Sequence, residues 1–174
     1  RITLDDAATT LTDNHFTQLT SIEELTLSGT DAVSVTTGGS FNAAFANGAT
    51  ITNAAAADAK AVTYAMGLSN VDTTIALTSA GVLNAASENL SVTTGSGEDT
   101  ITVAAASFTG RTGAASSQII INTAAGNDTI TFSHGTLASD NTSGGIAIDA
   151  GTGKDTITKS AGVNDGTNTA FGNT

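Results

Sequence analysis

The C-terminal half of the sequence contains one short motif three times: GSGEDTITV at 95–103, AAGNDTITF at 124–132 and GTGKDTITK at 151–159. In every copy a glycine lies two residues before an aspartate; the pairs are Gly97 and Asp99, Gly126 and Asp128, and Gly153 and Asp155. The aspartates follow one another at steps of 29 and 27 residues. A period of this size is typical of stacked supersecondary units, so the sequence predicts a repeat architecture that is aligned at these corners.

Two apolar stretches alternate in each period, which is the pattern of half-buried β-strands. One follows the aspartate, as in Ile101 and Val103, and the other precedes the glycines, as in Leu90 and Val92. Thr and Ile suit strands, and because the chain has no Pro every backbone N–H can donate to a ladder. We therefore predict an all-β fold, a right-handed parallel β-solenoid, whose Gly-x-Gly corners permit a backbone with positive φ.

The N-terminal half has a weaker version of this pattern, which begins in IEELTLSGTDAVSV at 22–35. Strand-like segments follow at Ala49, Ala61 and Thr73, and six or seven coils would account for the chain. The Ala-rich run at 53–62 fits either a helix or a tightly filled solenoid interior.

We interpret residues 1–174 as a single β-solenoid domain. Within it, 1–20 form a cap or linker with a short helix or turn, 21–89 form irregular coils, and 90–160 form the best-defined repeats. The chain starts without Met or a signal peptide, which indicates a piece of a longer polypeptide.

Composition excludes several classes of function. The formal net charge is −11 and only five residues are basic, which argues against nucleic acid and anionic membrane surfaces as partners. Cys is absent, so disulfides and thiolate metal sites are excluded. No apolar run is long enough for membrane insertion. His15 and His134 are too few and too distant for a zinc site or a catalytic base, and we expect both in turns or on the surface.

The repeated corner has the chemistry of a calcium site. Ca²⁺ takes six to eight oxygen ligands, and a glycine corner exposes carbonyl oxygens that an adjacent aspartate supplements with charge. Coils stacked at about 4.8 Å would let two corners share one ion. The candidate ligand positions are Gly95, Gly97, Asp99, Gly126, Asp128, Gly151, Gly153 and Asp155. The alternative is that each aspartate accepts backbone N–H bonds in an Asx-turn without metal.

Neighbouring charges rank these candidates. Glu98 adds negative charge beside Asp99, whereas Lys154 removes it beside Asp155, so Asp99 and Asp128 rank above Asp155. Asp149 is either an extra ligand or an outward polar residue, and Asp31 is a weaker fourth candidate because its corner has one glycine. We expect solvated loop charges at the remaining positions considered, which are Asp5, Asp6, Asp140 and Asp165.

At these corners the sequence resembles the RTX (repeats-in-toxin) calcium family, whose pattern is G-G-x-G-x-D-x-U-x with U apolar. The copies at Gly95 and Gly151 match from the second glycine onward, and Ala124 replaces that glycine in the middle copy. Thr94, Thr123 and Ala150 replace the first glycine, and the step is about three times that of a standard RTX repeat. The chain is more similar to the calcium-binding β-solenoids of bacterial surface-layer proteins and large secreted adhesins.

That resemblance implies a structural module rather than an enzyme. The expected cofactor is Ca²⁺, the expected location is the bacterial cell surface or the medium, and the expected partners are copies of the protein itself and cell-surface polysaccharide. Two alternatives compete. A polysaccharide-acting β-helix enzyme is disfavoured by few basic residues, one Tyr and no Trp. An ice-binding surface would use the Thr-x-Thr pairs of the three motifs, although Thr is also simply a good outward strand residue.

Overall fold

A computed structural model describes residues 1–5, 9–28, 32–53, 61–77, 89–108, 119–137, 146–159 and 169–172. The chain alternates between two sheets, and every strand pairing is parallel. Each sheet contains seven strands within the described residues. The prediction of an all-β parallel β-solenoid with two strands per coil is therefore confirmed, and its right-handedness stays a prediction.

Sheet A consists of the odd-numbered strands, in the order in which they stack: β1 Ile2–Leu4, β3 Glu24–Leu27, β5 Ala49–Asn53, β7 Thr73–Leu77, β9 Thr100–Phe108, β11 Thr129–Leu137 and β13 Thr156–Lys159. Sheet B consists of the even-numbered strands: β2 Thr9–Leu11, β4 Val33–Thr36, β6 Ala61–Ala65, β8 Asn89–Thr93, β10 Ile119–Asn122, β12 Ile146–Asp149 and β14 Thr169–Gly172. The strand segments expected at Ala49, Ala61 and Thr73 are confirmed. The rest of the Ala-rich run, 54–60, lies outside the described residues.

The core is a set of apolar columns that run along the solenoid between the two sheets. In sheet A, Ile75, Ile101, Ile130 and Ile157 are successive partners, and the first three are fully buried. In sheet B the corresponding column consists of Leu11, Val35, Tyr64, Val92, Ile121 and Ile148. Each sheet covers the inner face of the other, so the apolar columns of both sheets are largely removed from water.

Two short helical inserts widen the first coils. A 3₁₀ helix, Asp13–Phe16, lies within the stretch expected to hold a short helix or turn. The helix α1, Gly39–Ala44, follows β4 and was not predicted. Phe16 packs edge-on against Phe41 at 5.2 Å between ring centroids. The ring of Phe45 packs against both of them in the interior. None of the described helices has the length and apolar character needed to cross a membrane.

An aspartate from one insert caps the other. The carboxylate of Asp13 accepts hydrogen bonds from the backbone N–H groups of Ser40 and Phe41 at 3.1 and 2.9 Å. Burial raises the pKa of Asp13 but these backbone bonds lower it, and the net pKa lies below the usual value. The cap satisfies helix donors that have no partner inside the first turn.

Candidate functional site

The three motif corners stack directly on one another. Thr100, Thr129 and Thr156 are register partners in sheet A, and the residue before each is the motif aspartate. Asp99 and Asp128 are each 1% exposed, so the side chains point into the solenoid and not toward solvent. Asp155 is half-buried. We call the column of Asp99, Asp128 and Asp155 the carboxylate ladder.

Each aspartate of the carboxylate ladder binds the backbone of the preceding coil. Oδ1 of Asp99 accepts from the N–H of Thr73 at 2.8 Å, and Oδ1 of Asp128 accepts from the N–H of Asp99 at 2.8 Å. Oδ1 of Asp155 accepts from the N–H of Asp128 at 2.9 Å. The alternative expected backbone N–H bonds to these aspartates, and they are present, but their donors lie 26 to 29 residues away and so do not form local Asx-turns. The bonds connect coils, and hydrogen bonds to a charged acceptor contribute about 1.5–3 kcal/mol each.

The second oxygen of each carboxylate is buried without a partner. Oδ2 of Asp99, Asp128 and Asp155 has no hydrogen bond in the described part of the protein, and neither does the buried hydroxyl of Thr94. Buried polar groups in folded proteins are nearly always paired with protein groups, water or ions. The three unpaired carboxylate oxygens of consecutive coils therefore form a column of acceptors inside the corner that are available to a proton or a cation.

Burial disfavours the ionised form of these carboxylates. Desolvation raises the pKa of Asp99 to about 6, although the nearby Thr94 hydroxyl and the Thr73 N–H oppose the shift. The Thr94 hydroxyl influences that pKa but makes no hydrogen bond to the carboxylate in the described part of the protein. Desolvation also raises the pKa of Asp128, and the neighbouring charge of Asp155 adds to the shift. The stacked charges favour any partner that neutralises them, either a proton or a cation.

The corner glycines are required because neighbouring coils touch there. Cβ atoms added to Gly95 and Gly151 would collide with the backbone carbonyls of Ser69 and Ala124, and one on Gly97 would lie 2.5 Å from the Val71 oxygen. Gly126, Gly151 and Gly153 have the expected positive φ angles, but Gly95 and Gly97 do not. At Gly95 and Gly97 the permitted positive φ is not adopted, and the close approach of the preceding coil is the reason for glycine. Ala124 occupies the left-handed region itself, at φ 59°.

At two coil interfaces, oxygen atoms of both coils converge on a corner glycine. The Cβ position of Gly126 would touch the carbonyl oxygen of Gly97 and lie 3.0 Å from Oδ1 of Asp128. The Cβ position of Gly153 would touch the carbonyl oxygen of Gly126 and lie 3.4 Å from Oδ1 of Asp155. A backbone carbonyl beside a carboxylate is the donor set that Ca²⁺ uses in proteins.

A second polar column, outside the corner, was not predicted. Oδ1 of Asp72 accepts from the N–H of Glu98 at 2.9 Å, and Oε1 of Glu98 accepts from the side chain of Asn127 at 3.0 Å. Oδ1 of Asn127 then accepts from the N–H of Lys154 at 3.0 Å. These four residues occupy the same register position in successive coils. Their chemical types differ, so no repeated letter in the sequence indicated the column.

The remaining candidates lie apart from the carboxylate ladder. Asp149 is exposed, and its Oδ1 accepts from the N–H of Gly151 at 3.0 Å, so it forms the Asx-turn while facing outward. Asp5 and His15 are exposed, as expected, and His15 lies in the 3₁₀ helix. Asp6, Asp31, Asp140 and Asp165 lie outside the described residues, as does the side chain of His134.

Carboxylates and histidines alone do not make a metal site in the described part of the chain, since no three of them cluster closely enough. A cation in the corner would therefore need carbonyl or hydroxyl oxygens as well, such as those of Gly97, Gly126 and Thr94. Comparison of the chain with models of protein families, with curated proteins and with solved structures found no match.

Proposed function

We propose that this chain is a calcium-stabilised structural module of an extracellular self-assembling protein, such as a bacterial surface layer or filament. The observation that carries this proposal is the column of buried, unpaired Oδ2 atoms on Asp99, Asp128 and Asp155. A solenoid that buries two carboxylates and half-buries a third in adjacent coils is destabilised by their desolvation and mutual repulsion unless something compensates.

Calcium fits this column better than protonation does at neutral pH. The pKa of Asp99 is raised to about 6, which still leaves the carboxylate largely ionised at pH 7. Under this proposal the ligands are the unpaired Oδ2 atoms together with backbone carbonyl oxygens of the stacked corners, such as those of Gly97 and Gly126. When bound, the ion supplies positive charge that neutralises the carboxylates. The protein supplies the rigid spacing, because each Oδ1 is already fixed to a backbone N–H.

The proposed self-assembly uses strand edges that the described residues leave unpaired. Within the described residues, β13 and β14 are each paired on one side only, as are β1 and β2 at the other end. Such edges pair with further strands. In the proposed polymer, the further strands belong to other molecules of the same protein. In a longer polypeptide they would belong to its own further coils.

Calcium also suits a location outside the cell. Low calcium inside a cell would leave the carboxylate ladder uncompensated and the chain easier to export, and calcium outside would complete the fold. Cell-surface polysaccharide is a further partner under this proposal, for an adhesin in place of a lattice.

The first test compares thermal melting in millimolar calcium and in EGTA. An ion that binds only the folded state at a hundredfold excess over Kd stabilises by about 2.7 kcal/mol, so EGTA should lower the melting temperature. Asp128→Asn should lose this response. Asp149→Asn is the matched control, because it changes a nearby aspartate into the residue that the preceding coil, at Asn122, has in register. An identical melting curve in calcium and EGTA would reject calcium.

The second test concerns assembly of the full-length protein. Electron microscopy and light scattering should detect ordered polymers in millimolar calcium and their loss in EGTA. A particle that stays monomeric at high concentration in calcium would reject the polymer and leave a single adhesin domain.

A further inference from the structure

The outer surface of sheet A is formed by two columns of threonine side by side. The first column consists of Thr50, Thr74, Thr100, Thr129 and Thr156, preceded by Glu24. The second consists of Thr3, Thr26, Thr52, Ala76, Thr102, Thr131 and Thr158. We call these two columns the threonine face. Its members alternate with the buried core residues, so every side chain points away from the interior.

Strand propensity does not account for the threonine face, because sheet B is an internal control. Thr occupies eleven of the thirteen positions in the two columns of sheet A. The two outward columns of sheet B, from β2 to β12, have Thr at four of eleven positions. The others there are Ser34, Ala65, Ser91, Ile120, Asn122, Ala147 and Asp149. A preference of strands for Thr would act on both sheets alike.

Repetition of the Asp-Thr-Ile-Thr motif accounts for six of the eleven threonines, but the five in the earlier coils lie outside any copy of that motif; they are Thr3, Thr26, Thr50, Thr52 and Thr74. Successive members of the second column are separated by 23 to 29 residues, because the corners and inserts differ in length. The inward residues beside them also vary; Leu27, Asn53, Leu77, Val103 and Phe132 are successive register partners. The threonines stay in register while their surroundings change, which indicates that the outward positions are under their own constraint.

The threonine face offers free hydroxyls at fixed positions. Apart from Thr26, which donates to Glu24 at 3.1 Å, its hydroxyls make no hydrogen bond to the part of the protein that the structure describes. Its one described charge is Glu24, which is paired with Arg1 at 3.4 Å near the N-terminal edge. Hydroxyl and methyl groups therefore repeat at about 4.8 Å between coils and about 6.6 Å along a strand.

We propose that the threonine face binds ice. A soluble molecule would touch only a few of these groups, whereas a ligand that meets all of them must itself be periodic and hydrogen-bond equally well at every point. Solid water has both properties, and its surface oxygens repeat over distances of the same few ångströms. Each contact is weak, but a rigid face orders all of them at once, so little entropy is lost on binding.

The experiment measures thermal hysteresis and ice capture with the whole chain in calcium-containing buffer. The wild-type protein should lower the freezing point below the melting point and become enriched in a growing ice fraction. Thr102→Lys combined with Thr129→Lys, at the centre of the threonine face, should abolish both. Thr63→Lys combined with Ser91→Lys, on the outer surface of sheet B, should abolish neither, and melting curves establish that both variants are folded.

Ala76→Thr tests the proposal through a gain of activity and not through a loss. It fills the one gap in the second column, between Thr52 and Thr102, and should increase hysteresis. A wild-type protein without hysteresis or ice capture overturns the proposal, even if it binds crystalline chitin or cellulose. Equal loss in the two lysine variants overturns it as well, because the effect would then not belong to the threonine face.

Discussion

The carboxylate of Asp128 connects its own coil to the coil of Asp99: Oδ1 of Asp128 accepts a hydrogen bond from the backbone N–H of Asp99 at 2.8 Å. Oδ1 of Asp155 accepts from the N–H of Asp128 in the same way, so Asp99 and Asp128 each donate one such bond and accept another along the solenoid. The bond fixes one oxygen of each carboxylate and leaves the other unpaired in the interior. The stability of the corner therefore depends on two separable properties of the aspartate, its acceptor oxygen and its charge.

Replacements at Asp128 separate those two properties in calcium-free buffer. Asp128→Ala removes the acceptor and leaves the buried N–H of Asp99 unpaired, which should cost about 1–3 kcal/mol in denaturant unfolding. Asp128→Asn keeps an acceptor oxygen and removes a buried charge, so it should cost clearly less. Asp149→Asn, at an exposed position, keeps an acceptor for the N–H of Gly151 and should stay within about 0.5 kcal/mol of wild type. Equal losses for Asp128→Asn and Asp128→Ala would show that the interaction between the coils is not a hydrogen bond to Oδ1.

Stability without calcium should fall as pH rises through the acid range. Burial raises the pKa of Asp99 from 3.8 to about 6, so between these values the folded state binds more protons than the unfolded state. The free energy of unfolding should therefore decrease from pH 3.8 to about 6 and level off above, and the raised pKa of Asp128 acts in the same direction. The lowered pKa of Asp13 acts oppositely, below pH 3.8.

Calcium should reverse that slope, because its ligands must be ionised and acid releases the ion. Melting temperatures from pH 4 to pH 7 in EGTA and in calcium measure both slopes, and Asp99→Asn should flatten each of them. The same slope in both buffers would contradict calcium coupling to these carboxylates.

Glycine is predicted to be irreplaceable at one position and dispensable at another. Gly126 has φ 150° and its added Cβ would collide with the Gly97 carbonyl, so Gly126→Ala should cost at least about 1–3 kcal/mol. Gly39 begins α1 with nothing within 4 Å of its added Cβ, so Gly39→Ala should stabilise by about 0.4–1 kcal/mol. Urea unfolding measures both, and a tolerated Gly126→Ala would contradict the close stacking of the corners.

The core column should weaken toward its C-terminal end. Ile130 is fully buried between Ile101 and Ile157, and Ile130→Ala should cost about 2–5 kcal/mol. Ile157 occupies the same column but is only half-buried, so Ile157→Ala should cost less. Equal losses in thermal or urea unfolding would show that further packing covers β13.

The sequence predicted the fold where its letters repeat. The Thr-Ile-Thr strands and the Gly-x-Asp corners recur without change, so Asp99, Asp128 and Asp155 were aligned correctly. The helix α1 was missed because its first residue is Gly39 and its cap, Asp13, lies 28 residues before Phe41. Helix signals are read from neighbouring residues, and this cap is a contact between coils.

The details of the site were missed for the same reason. Local rules connect an aspartate to its own turn, but the donors to the carboxylate ladder lie on the preceding coil. Local rules also explain glycine by positive φ, whereas Gly95 and Gly97 are needed because the preceding coil's carbonyls approach so closely. The threonine face became visible only once the register joined Thr50 and Thr74 to the three motifs.

The most direct test of the calcium proposal is an anomalous difference map from crystals grown in calcium. The account predicts peaks inside the stacked corners, with oxygen contacts of about 2.3–2.6 Å that include Oδ2 of Asp99 or Asp128. Those peaks should disappear from crystals soaked in EGTA. A map at the same resolution with only water, or nothing, beside these oxygens would contradict the account and would leave protonation as the means by which the solenoid tolerates its carboxylate ladder.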